Sequence, residues 1–286
     1  MSNLAYHLKR PEARTTSVVF ASPHSGREYP KAFVQSAVLN EREIRSSEDA
    51  YVDDLFEAAP KYGAPLLTAR APRAFVDLNR APEELDQALV KDVRRVSQNP
   101  RVASGLGVIP RVVANGRQIY SGKISLEEAH RRITYYWRPY HDMLQTLLDE
   151  SQNAFGEAIL IDCHSMPHEA LDHVGPPGAA RPQIVLGDRF GASAAGDVVE
   201  KLEAAFTSAG LRVARNMPFA GAHIVQHYGR PSRGQHAVQV EIDRALYMNE
   251  TTLQPSDDYV AFKKLLTSTM ADIAAIGGED RKLAAE

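Results

Sequence analysis

Hydrophobic and polar positions follow two recurring patterns along this chain of 286 residues, and the first is typical of buried strands. Residues 16–21 form a β-branched and aromatic run that stops at Pro23, and residues 158–162 form an apolar run with a polar end. Runs of this kind are typical of strands that are buried on both faces of a sheet. Further short strands are predicted at residues 66–69, 74–78, 211–214 and 237–242.

The second pattern is the period of about 3.6 residues that marks an amphipathic helix. Residues 50–61 show it, with a serine cap just before them. A capping-box sequence at Ser125 begins a long helix towards Glu150, which Pro139 should kink or split in two. Two more helices are predicted at residues 193–208 and 257–276. Because strands and helices alternate, the sequence predicts an α/β fold with a mostly parallel sheet flanked by helices.

Residues 81–124 do not fit either pattern, since they carry turn signals such as Asn115-Gly116 without clear periodicity. A long irregular segment in a compact domain is often a lid or a binding loop, and the sequence leaves open whether this one closes over a site. No internal repeat or flexible linker divides the chain. We therefore predict a single domain over residues 1–286.

Ligand-type side chains follow several of the predicted strands, and His24 and His164 are the two histidines among them. The carboxyl ends of strands in an open α/β sheet converge on one crevice where ligands bind. A neutral imidazole held by a strand end and a tight turn suits a metal ion. The alternatives are a loop histidine bonded to backbone for His24 and a buried Asp–His hydrogen bond without metal for His164.

Alternation along the strand places Asp162 and His164 on one face and Cys163 on the other. Asp162 is thus expected to orient His164, in a carboxylate–histidine–metal arrangement. Cys163 cannot pair with His164 as nucleophile and base, so a buried structural cysteine is expected. The third metal ligand stays open between Glu28, Glu48 and Asp49 at this point.

Asn79 and Arg80 close the predicted strand 74–78 and form a suitable clamp for a carboxylate, because a guanidinium binds carboxylate through two hydrogen bonds. Arg73 and Arg111 are candidates to assist them. A structural ion pair between an aspartate and an arginine is the equal alternative. Together, two histidines, a carboxylate and an arginine predict a metal-assisted hydrolase acting on an anionic substrate.

Glu241 lies inside an otherwise apolar strand, where an unpaired carboxylate is costly to bury. A general base with a tuned pKa fits this position, and an ion pair with Arg244 or Arg230 is the alternative. His223 lies in the glycine-bearing connection 218–234, which is interpreted as a substrate-facing loop or, alternatively, as a solvated polar turn.

Composition narrows the functional classes further. The net charge of −3 and the pI of about 6.4 give no electrostatic basis for binding nucleic acid or a membrane surface. The single cysteine excludes an internal disulfide, and the first ten residues lack the apolar core of a secretory signal. A cytoplasmic protein with a small-molecule substrate is expected, and the sequence does not indicate its oligomeric state.

Six motifs, in this order, resemble the N-formylglutamate amidohydrolase family from about Val18 to Tyr247. They are Ser22-Pro23-His24-Ser25-Gly26, Glu48-Asp49-Ala50-Tyr51-Val52-Asp53, Asp77-Leu78-Asn79-Arg80, Asp162-Cys163-His164-Ser165, Pro218-Phe219-Ala220-Gly221 and Tyr228-Gly229-Arg230-Pro231. The family is similar to the zinc carboxypeptidase and aspartoacylase class, so the resemblance implies a central mixed sheet and a zinc ion.

The resemblance also implies roles for individual residues. It places zinc on His24 and His164, a substrate carboxylate on Asn79 and Arg80, and general base and acid catalysis on Glu241. The related class uses His-x-x-Glu, but Arg27 stands at that position here. The acidic ligand must come from elsewhere, and the resemblance implies Asp49, which lies inside the family's Glu-Asp-x-Tyr pattern, while Glu28 and Glu48 stay possible.

The implied activity is zinc-dependent hydrolysis of N-formyl-L-glutamate to formate and L-glutamate, a step of histidine catabolism. Ala222 stands where family members often carry a second glycine, which bears on the identity of the substrate. The alternatives are a hydrolase of another N-acyl amino acid and a catalytically silent relative that binds an amino acid.

Overall fold

The computed structural model describes residues 5–94, 99–172, 174 and 180–278. Strands within these ranges form one large sheet and one small two-stranded sheet. Their bounds are β1 Tyr6–Lys9, β2 Val18–Ser22, β3 Leu66–Ala69, β4 Ala158–Met166, β5 Ile184–Gly187, β6 Val213–Arg215, β7 Gln235–Asp243, β8 Met248–Asn249 and β9 Gln254–Pro255.

The helices of the described ranges are mostly short before residue 126 and longer after it. Their bounds are α1 Lys31–Ser36, α2 Glu41–Ile44, α3 Val52–Leu55, α4 Pro100–Ala103, α5 Leu126–Arg132, α6 Arg138–Phe155, α7 Gly196–Ser208, α8 His223–Tyr228 and α9 Tyr259–Ile276. Short 3₁₀ turns and one π turn, Ile133–Trp137, connect some of them. Among these helices, none combines the length and the apolar character that crossing a membrane requires.

The large sheet has the strand order β1-β3-β2-β4-β7-β5-β6. The pairs β2–β4, β4–β7 and β5–β6 are parallel, whereas β5 and β7 are antiparallel. The sheet is therefore mixed, as predicted. Every residue of β2 and β4 is buried, which explains why both read as continuous apolar runs rather than as alternating ones.

Two compact units divide the chain. The first comprises Met1–His7, Pro23–Ala50 and Thr68–Met143, and the second comprises Leu8–Ser22, Tyr51–Leu67 and Leu144–Glu286. In the second unit, α9 packs against α7 and against β2. The single domain over residues 1–286 stays a prediction.

The strand predicted at residues 74–78 is wrong. The chain turns there instead, although Ala74, Phe75 and Val76 are all buried. The guanidinium of Arg132 lies 4.1 Å from the centre of the Phe75 ring and donates a hydrogen bond to the Phe75 carbonyl oxygen at 3.1 Å. This segment is buried by packing against a cation rather than by pairing in the sheet, so hydrophobicity alone gave a misleading signal.

Two predicted helices are interrupted. Residues 50–61 form α3 and then a separate 3₁₀ turn, Ala59–Tyr62, and α3 is preceded by Tyr51 in the left-handed conformation with φ 66°. The capping serine Ser125 is confirmed, because its side chain accepts a hydrogen bond from Glu128 N. The interruption of that helix is the π turn, which ends just before Pro139, the residue predicted to kink it.

Residues 81–124 contain little regular structure, in agreement with the sequence, and residues 95–98 of this segment lie outside the described ranges. The segment is nevertheless partly core, since Val108, Ile109 and Ile119 are fully buried. Val108 N donates a hydrogen bond to Glu84 O at 2.9 Å, and Val108 O accepts one from Asp77 N at 2.8 Å. A lid function for this segment stays a prediction.

Candidate metal centre and its surroundings

His24 follows directly after β2, and its ring lies between two aspartates. Its Nε2 atom lies 2.7 Å from Asp77 Oδ1, and its Nδ1 atom lies 3.5 Å from Asp49 Oδ2. The backbone also joins two of these residues, because Asp49 N donates to His24 O at 3.1 Å. All three side chains are buried. With Asp77 on Nε2, the ring presents Nδ1 towards Asp49.

Asp77 is ionised in this environment. Burial alone would raise the pKa of its carboxyl group, but the charges of Arg73 and His24 and the hydrogen bond from His24 hold that pKa well below its ordinary value. Arg73 Nε lies 3.1 Å from Asp77 Oδ2, on the other carboxylate oxygen. A carboxylate that accepts from the remote nitrogen of an imidazole fixes the ring orientation and increases the basicity of the other nitrogen.

His164 also lies beside an aspartate, on β4. Its Nε2 atom lies 3.0 Å from Asp162 Oδ2, and both side chains are buried. The two side chains therefore lie on one face of the strand, as alternation predicted, but neither carboxylate oxygen of Asp162 makes a hydrogen bond within the described residues, so its role in orienting His164 stays a prediction. The neighbouring thiol of Cys163 is fully buried, and burial together with the Asp162 charge raises its pKa well above the ordinary value.

The ends of β2 and β4 lie side by side in the sheet, because Ala21 of β2 pairs with Asp162 of β4. Ligand atoms from His24, Asp49 and His164 all lie within 4.8 Å of one another. Within the described ranges, this is the one group of three or more such side chains that could hold a metal ion.

The donor set fits a metal ion chemically. Two imidazoles and one carboxylate provide three protein ligands, which is the number that leaves one position open at a catalytic site. The carboxylate of Asp77 behind the His24 imidazole supplies the outer contact that metal-binding histidines usually have. Buried imidazole and carboxylate groups so close together are otherwise costly, and a cation would offset that cost.

The two other acidic candidates make ion pairs of their own. Arg45 Nη2 lies 3.1 Å from Glu48 Oε2, and Tyr29 OH donates to Glu48 Oε1 at 2.5 Å. Arg70 Nη2 lies 2.6 Å from Glu28 Oε2, and the Glu28 side chain is 47% exposed. Asp49 is thus the acidic residue that the structure places with the two histidines.

The turn at residues 73–80 carries the predicted carboxylate clamp. Asn79 and Arg80 are buried, and Asn79 N donates to Asp77 Oδ1 at 2.8 Å. Arg80 Nε donates to Leu106 O at 2.8 Å, and its Nη1 donates to Asn79 O at 3.0 Å. Asp77 is therefore both the partner of His24 and the centre of this turn. The structure brings Arg73, Asn79 and Arg80 together around it.

Three side chains from one helical segment hold this turn by its carbonyl oxygens. Arg132 donates to Phe75 O at 3.1 Å, His141 Nε2 lies 2.8 Å from Leu78 O, and Trp137 Nε1 donates to Arg80 O at 2.9 Å. Arg132 and Trp137 are five residues apart, well over the about 3.6 residues of one α-helical turn. The π turn between them widens the helix locally and allows both to contact the same segment.

Arg111 and His223 are placed differently from the turn residues. Arg111 Nε forms an ion pair with Asp86 Oδ2 at 2.8 Å. His223 is the first residue of α8, and its ring stacks on that of His227 with 5.3 Å between centroids. Their predicted roles in substrate binding stay predictions.

Glu241 lies on β7 directly opposite His164, because these two residues are register partners in the parallel pair β4–β7. Gln239 Nε2 donates to Glu241 Oε1 at 2.8 Å. Of the arginines considered as alternative partners, Arg244 Nε donates to Ser165 Oγ at 3.1 Å, and Arg230 Nη1 donates to Gly229 O at 2.6 Å.

Two residues of the site were missed in the sequence. For Asp77 the sequence indicates its place in the motif of Asn79 and Arg80 and an ion pair with an arginine, but nothing local indicates a partner 53 positions away in His24. Gln239 could have been found, since it is a polar residue in a buried strand at an even spacing from Glu241 and must therefore share its face.

Comparison with known proteins identifies relatives over most of the chain. The family model described as N-formylglutamate amidohydrolase matches residues 16–248. An N-formylglutamate deformylase of Pseudomonas putida is 29% identical over 266 residues, which cover 89% of this chain and 92% of that protein. A protein of the same name from Pseudomonas aeruginosa is 31% identical over 237 residues, covering 82% of each.

The fold is similar to that of a solved relative. The crystal structure of an N-formylglutamate amidohydrolase from Ralstonia eutropha JMP134 superposes with a TM-score of 0.89 at 32% sequence identity. The match covers 96% of this chain and 98% of that one.

Proposed function

Because this chain belongs to the N-formylglutamate amidohydrolase family, we propose that it is a zinc-dependent amidohydrolase that cleaves N-formyl-L-glutamate. Water adds to the formyl carbon, the carbon–nitrogen bond breaks, and formate and L-glutamate are released. The observation that carries the proposal is the buried cluster of His24, Asp49 and His164, together with a carboxylate, Glu241, directly opposite His164 in the sheet.

In this proposal His24, Asp49 and His164 hold the zinc ion. When bound, zinc supplies Lewis-acid charge to the reacting carbonyl group and increases the acidity of water. Asp77 and Asp162 keep the two imidazoles oriented through their Nε2 atoms. Metal content of the purified protein is the direct readout of this assignment.

Glu241 is the general base and then the general acid. It accepts a proton as water attacks the formyl carbon, and it returns that proton to the amine nitrogen as this nitrogen leaves. Its burial in a strand keeps the carboxylate at a fixed position, which favours proton transfer along one direction.

Asn79 and Arg80 bind a carboxylate of the substrate, and Arg73, Arg111 and His223 assist. The turn 73–80 carries two guanidinium groups against the one carboxylate of Asp77, so it retains positive charge that suits an anionic substrate. Binding of the substrate carboxylate positions the formyl group for reaction with the water that Glu241 activates.

The test combines zinc analysis of the purified protein with an assay of formate release from N-formyl-L-glutamate. Wild-type protein is expected to contain about one zinc ion per chain and to release formate. Glu241→Gln should reduce kcat by at least about a hundredfold and leave the zinc content unchanged. Glu203→Gln is the matched control and should leave both values unchanged. It removes a carboxylate of α7 that is paired with Arg215 of β6.

A panel of N-acyl amino acids separates the alternatives in the same assay. Faster hydrolysis of an N-acetyl or N-formyl derivative of another amino acid would assign a different substrate to the same site. Ligand binding without zinc and without hydrolysis would indicate a silent relative and would contradict the proposal. Near-normal activity of Glu241→Gln would refute the role given to Glu241.

A further inference from the structure

Gln239 is a buried amide in the middle of β7, two residues before Glu241 on the same face of the strand. Gln239 is 4% exposed and Glu241 is 7% exposed. An amide buried in this way costs free energy unless its hydrogen-bonding groups are satisfied. The identity of its partners therefore indicates what the residue does.

Both ends of the Gln239 amide make hydrogen bonds in the structure. Its Oε1 atom accepts from Ala222 N at 3.1 Å, and its Nε2 atom donates to Glu241 Oε1 at 2.8 Å. A backbone N–H group can only donate, so the carbonyl end must face Ala222. The NH₂ end must then face Glu241, and the orientation of the amide is fixed by chemistry.

This orientation determines where Glu241 can carry a proton. An amide NH₂ group is a donor without acceptor capacity, so the Glu241 oxygen that it contacts has to act as an acceptor. A proton on Oε1 would turn this atom into a hydroxyl oxygen, which is a weaker acceptor for the amide N–H than a carbonyl oxygen is. The proton that Glu241 takes from water is therefore directed to Oε2.

We propose that Gln239 is a positioning residue for the general base: it holds Glu241 through Oε1 and reserves Oε2 for proton transfer. The inference rests on the proposed function of Glu241. The structure adds a second link, because Gln239 also connects Glu241 to the segment before α8 through Ala222.

Gly187 of β5 allows residues 220–222, the segment before α8, to pack closely against the strand. It is the register partner of Gln239 in the antiparallel pair β5–β7. A Cβ atom at Gly187 would lie 2.7 Å from Ala220 C and 2.7 Å from Gly221 N, closer than such atoms can come. The missing side chain thus lets the backbone before Ala222 pack against β5 and reach Gln239. A methyl group there should displace Ala222 without touching either Gln239 or Glu241.

The test compares Gln239→Met with the wild type in formate release, zinc content and thermal unfolding. Methionine retains the length of the side chain and removes the donor. We expect kcat to fall about tenfold or more, with KM within about twofold and zinc content unchanged, because outer contacts of catalytic groups are commonly worth this much. A purely structural role would lower the unfolding temperature and leave kcat of the folded protein intact.

Gln235→Met is the matched control, since this glutamine lies on the same strand and donates to Tyr228 O at 2.7 Å. Its kcat should stay within twofold of the wild-type value. Gly187→Ala is the second variant and should lower kcat in the same direction as Gln239→Met, which keeps the inference testable if the latter fails to fold.

The inference is overturned if Gln239→Met, or Gly187→Ala in its place, keeps kcat within twofold, or if the loss lies in KM or zinc content instead. If the wild type releases formate and Glu241→Gln does not, a normal Gln239→Met variant refutes the role of Gln239 alone. A wild type that hydrolyses no N-acyl amino acid refutes the proposed function itself.

Discussion

The indole nitrogen of Trp137 donates a hydrogen bond to the backbone carbonyl oxygen of Arg80 at 2.9 Å. Trp137 belongs to the π turn between α5 and α6, and its ring stacks on that of His141 with 3.8 Å between centroids. The helix therefore holds Arg80 through its main chain, while the guanidinium donates to Leu106 O and Asn79 O.

This relationship predicts the effect of Trp137→Phe, which keeps an aromatic ring and removes the donor. One hydrogen bond contributes about 1 kcal/mol, so we expect KM for N-formyl-L-glutamate to rise about fivefold, with kcat within twofold. Steady-state kinetics of formate release measures both values.

Tyr135→Phe is the control for Trp137→Phe, because Tyr135 is on the same π turn and is 60% exposed. It should leave KM unchanged. A Trp137→Phe variant that loses kcat at constant KM would argue against substrate binding by the turn 73–80.

Asp77→Asn tests the carboxylate behind His24. The change preserves the shape of the side chain and removes its charge, so the imidazole loses basicity and a fixed orientation. We expect the affinity for zinc to fall about tenfold to a hundredfold. Competition with a chelator of known affinity measures this without any activity assay.

Asp86→Asn is the matched control for Asp77→Asn, since Asp86 is also a buried aspartate paired with an arginine, Arg111, at 2.8 Å. Its zinc affinity should equal that of the wild type. Equal zinc affinities for Asp77→Asn and the wild type would show that His24 does not depend on Asp77 to bind the metal.

The sequence predicted those parts of the site that are coded locally. The apolar runs that became β2, β4 and β7 are contiguous, and the strand positions of His164 and Glu241 follow directly from them. The burial of Phe75 followed from its hydrophobicity, but its turn conformation did not, because this depends on Arg132 from a distant helix.

Long-range contacts set the remaining features. Asp49, Glu48 and Glu28 are equivalent as sequence, and only their partners distinguish them, since Arg45 and Arg70 pair with the two glutamates. The carboxylate of Asp77 behind His24 is likewise identified only by a long-range contact. Its identity depends on how the turn 73–80 folds back, and no local periodicity encodes that.

His236 provides a prediction about pH and stability. Its ring is buried at the start of β7, and its Nδ1 atom accepts a hydrogen bond from Ala195 N at 3.2 Å, at the beginning of α7. Burial lowers the pKa of His236 below its ordinary value, although Glu157 and Asp197 oppose the shift. An imidazole that accepts through Nδ1 in a buried site is neutral in the folded state.

The sign of the effect follows from proton uptake. The unfolded chain has an ordinary histidine pKa of about 6.5, and the folded state has a lower one. As the pH falls below about 6.5, the unfolded state binds more protons than the folded state, so stability is lost until the folded pKa is passed. Above about 6.5 the contribution of His236 to stability is fully present.

His236→Asn places an amide oxygen where Nδ1 accepts and removes the titration. We expect the free energy of unfolding of this variant to depend less on pH between 7.5 and 5 than that of the wild type, in equilibrium urea unfolding. The difference between the two proteins cancels the contribution of every histidine that they share. A pH dependence of His236→Asn identical to that of the wild type would contradict a neutral His236.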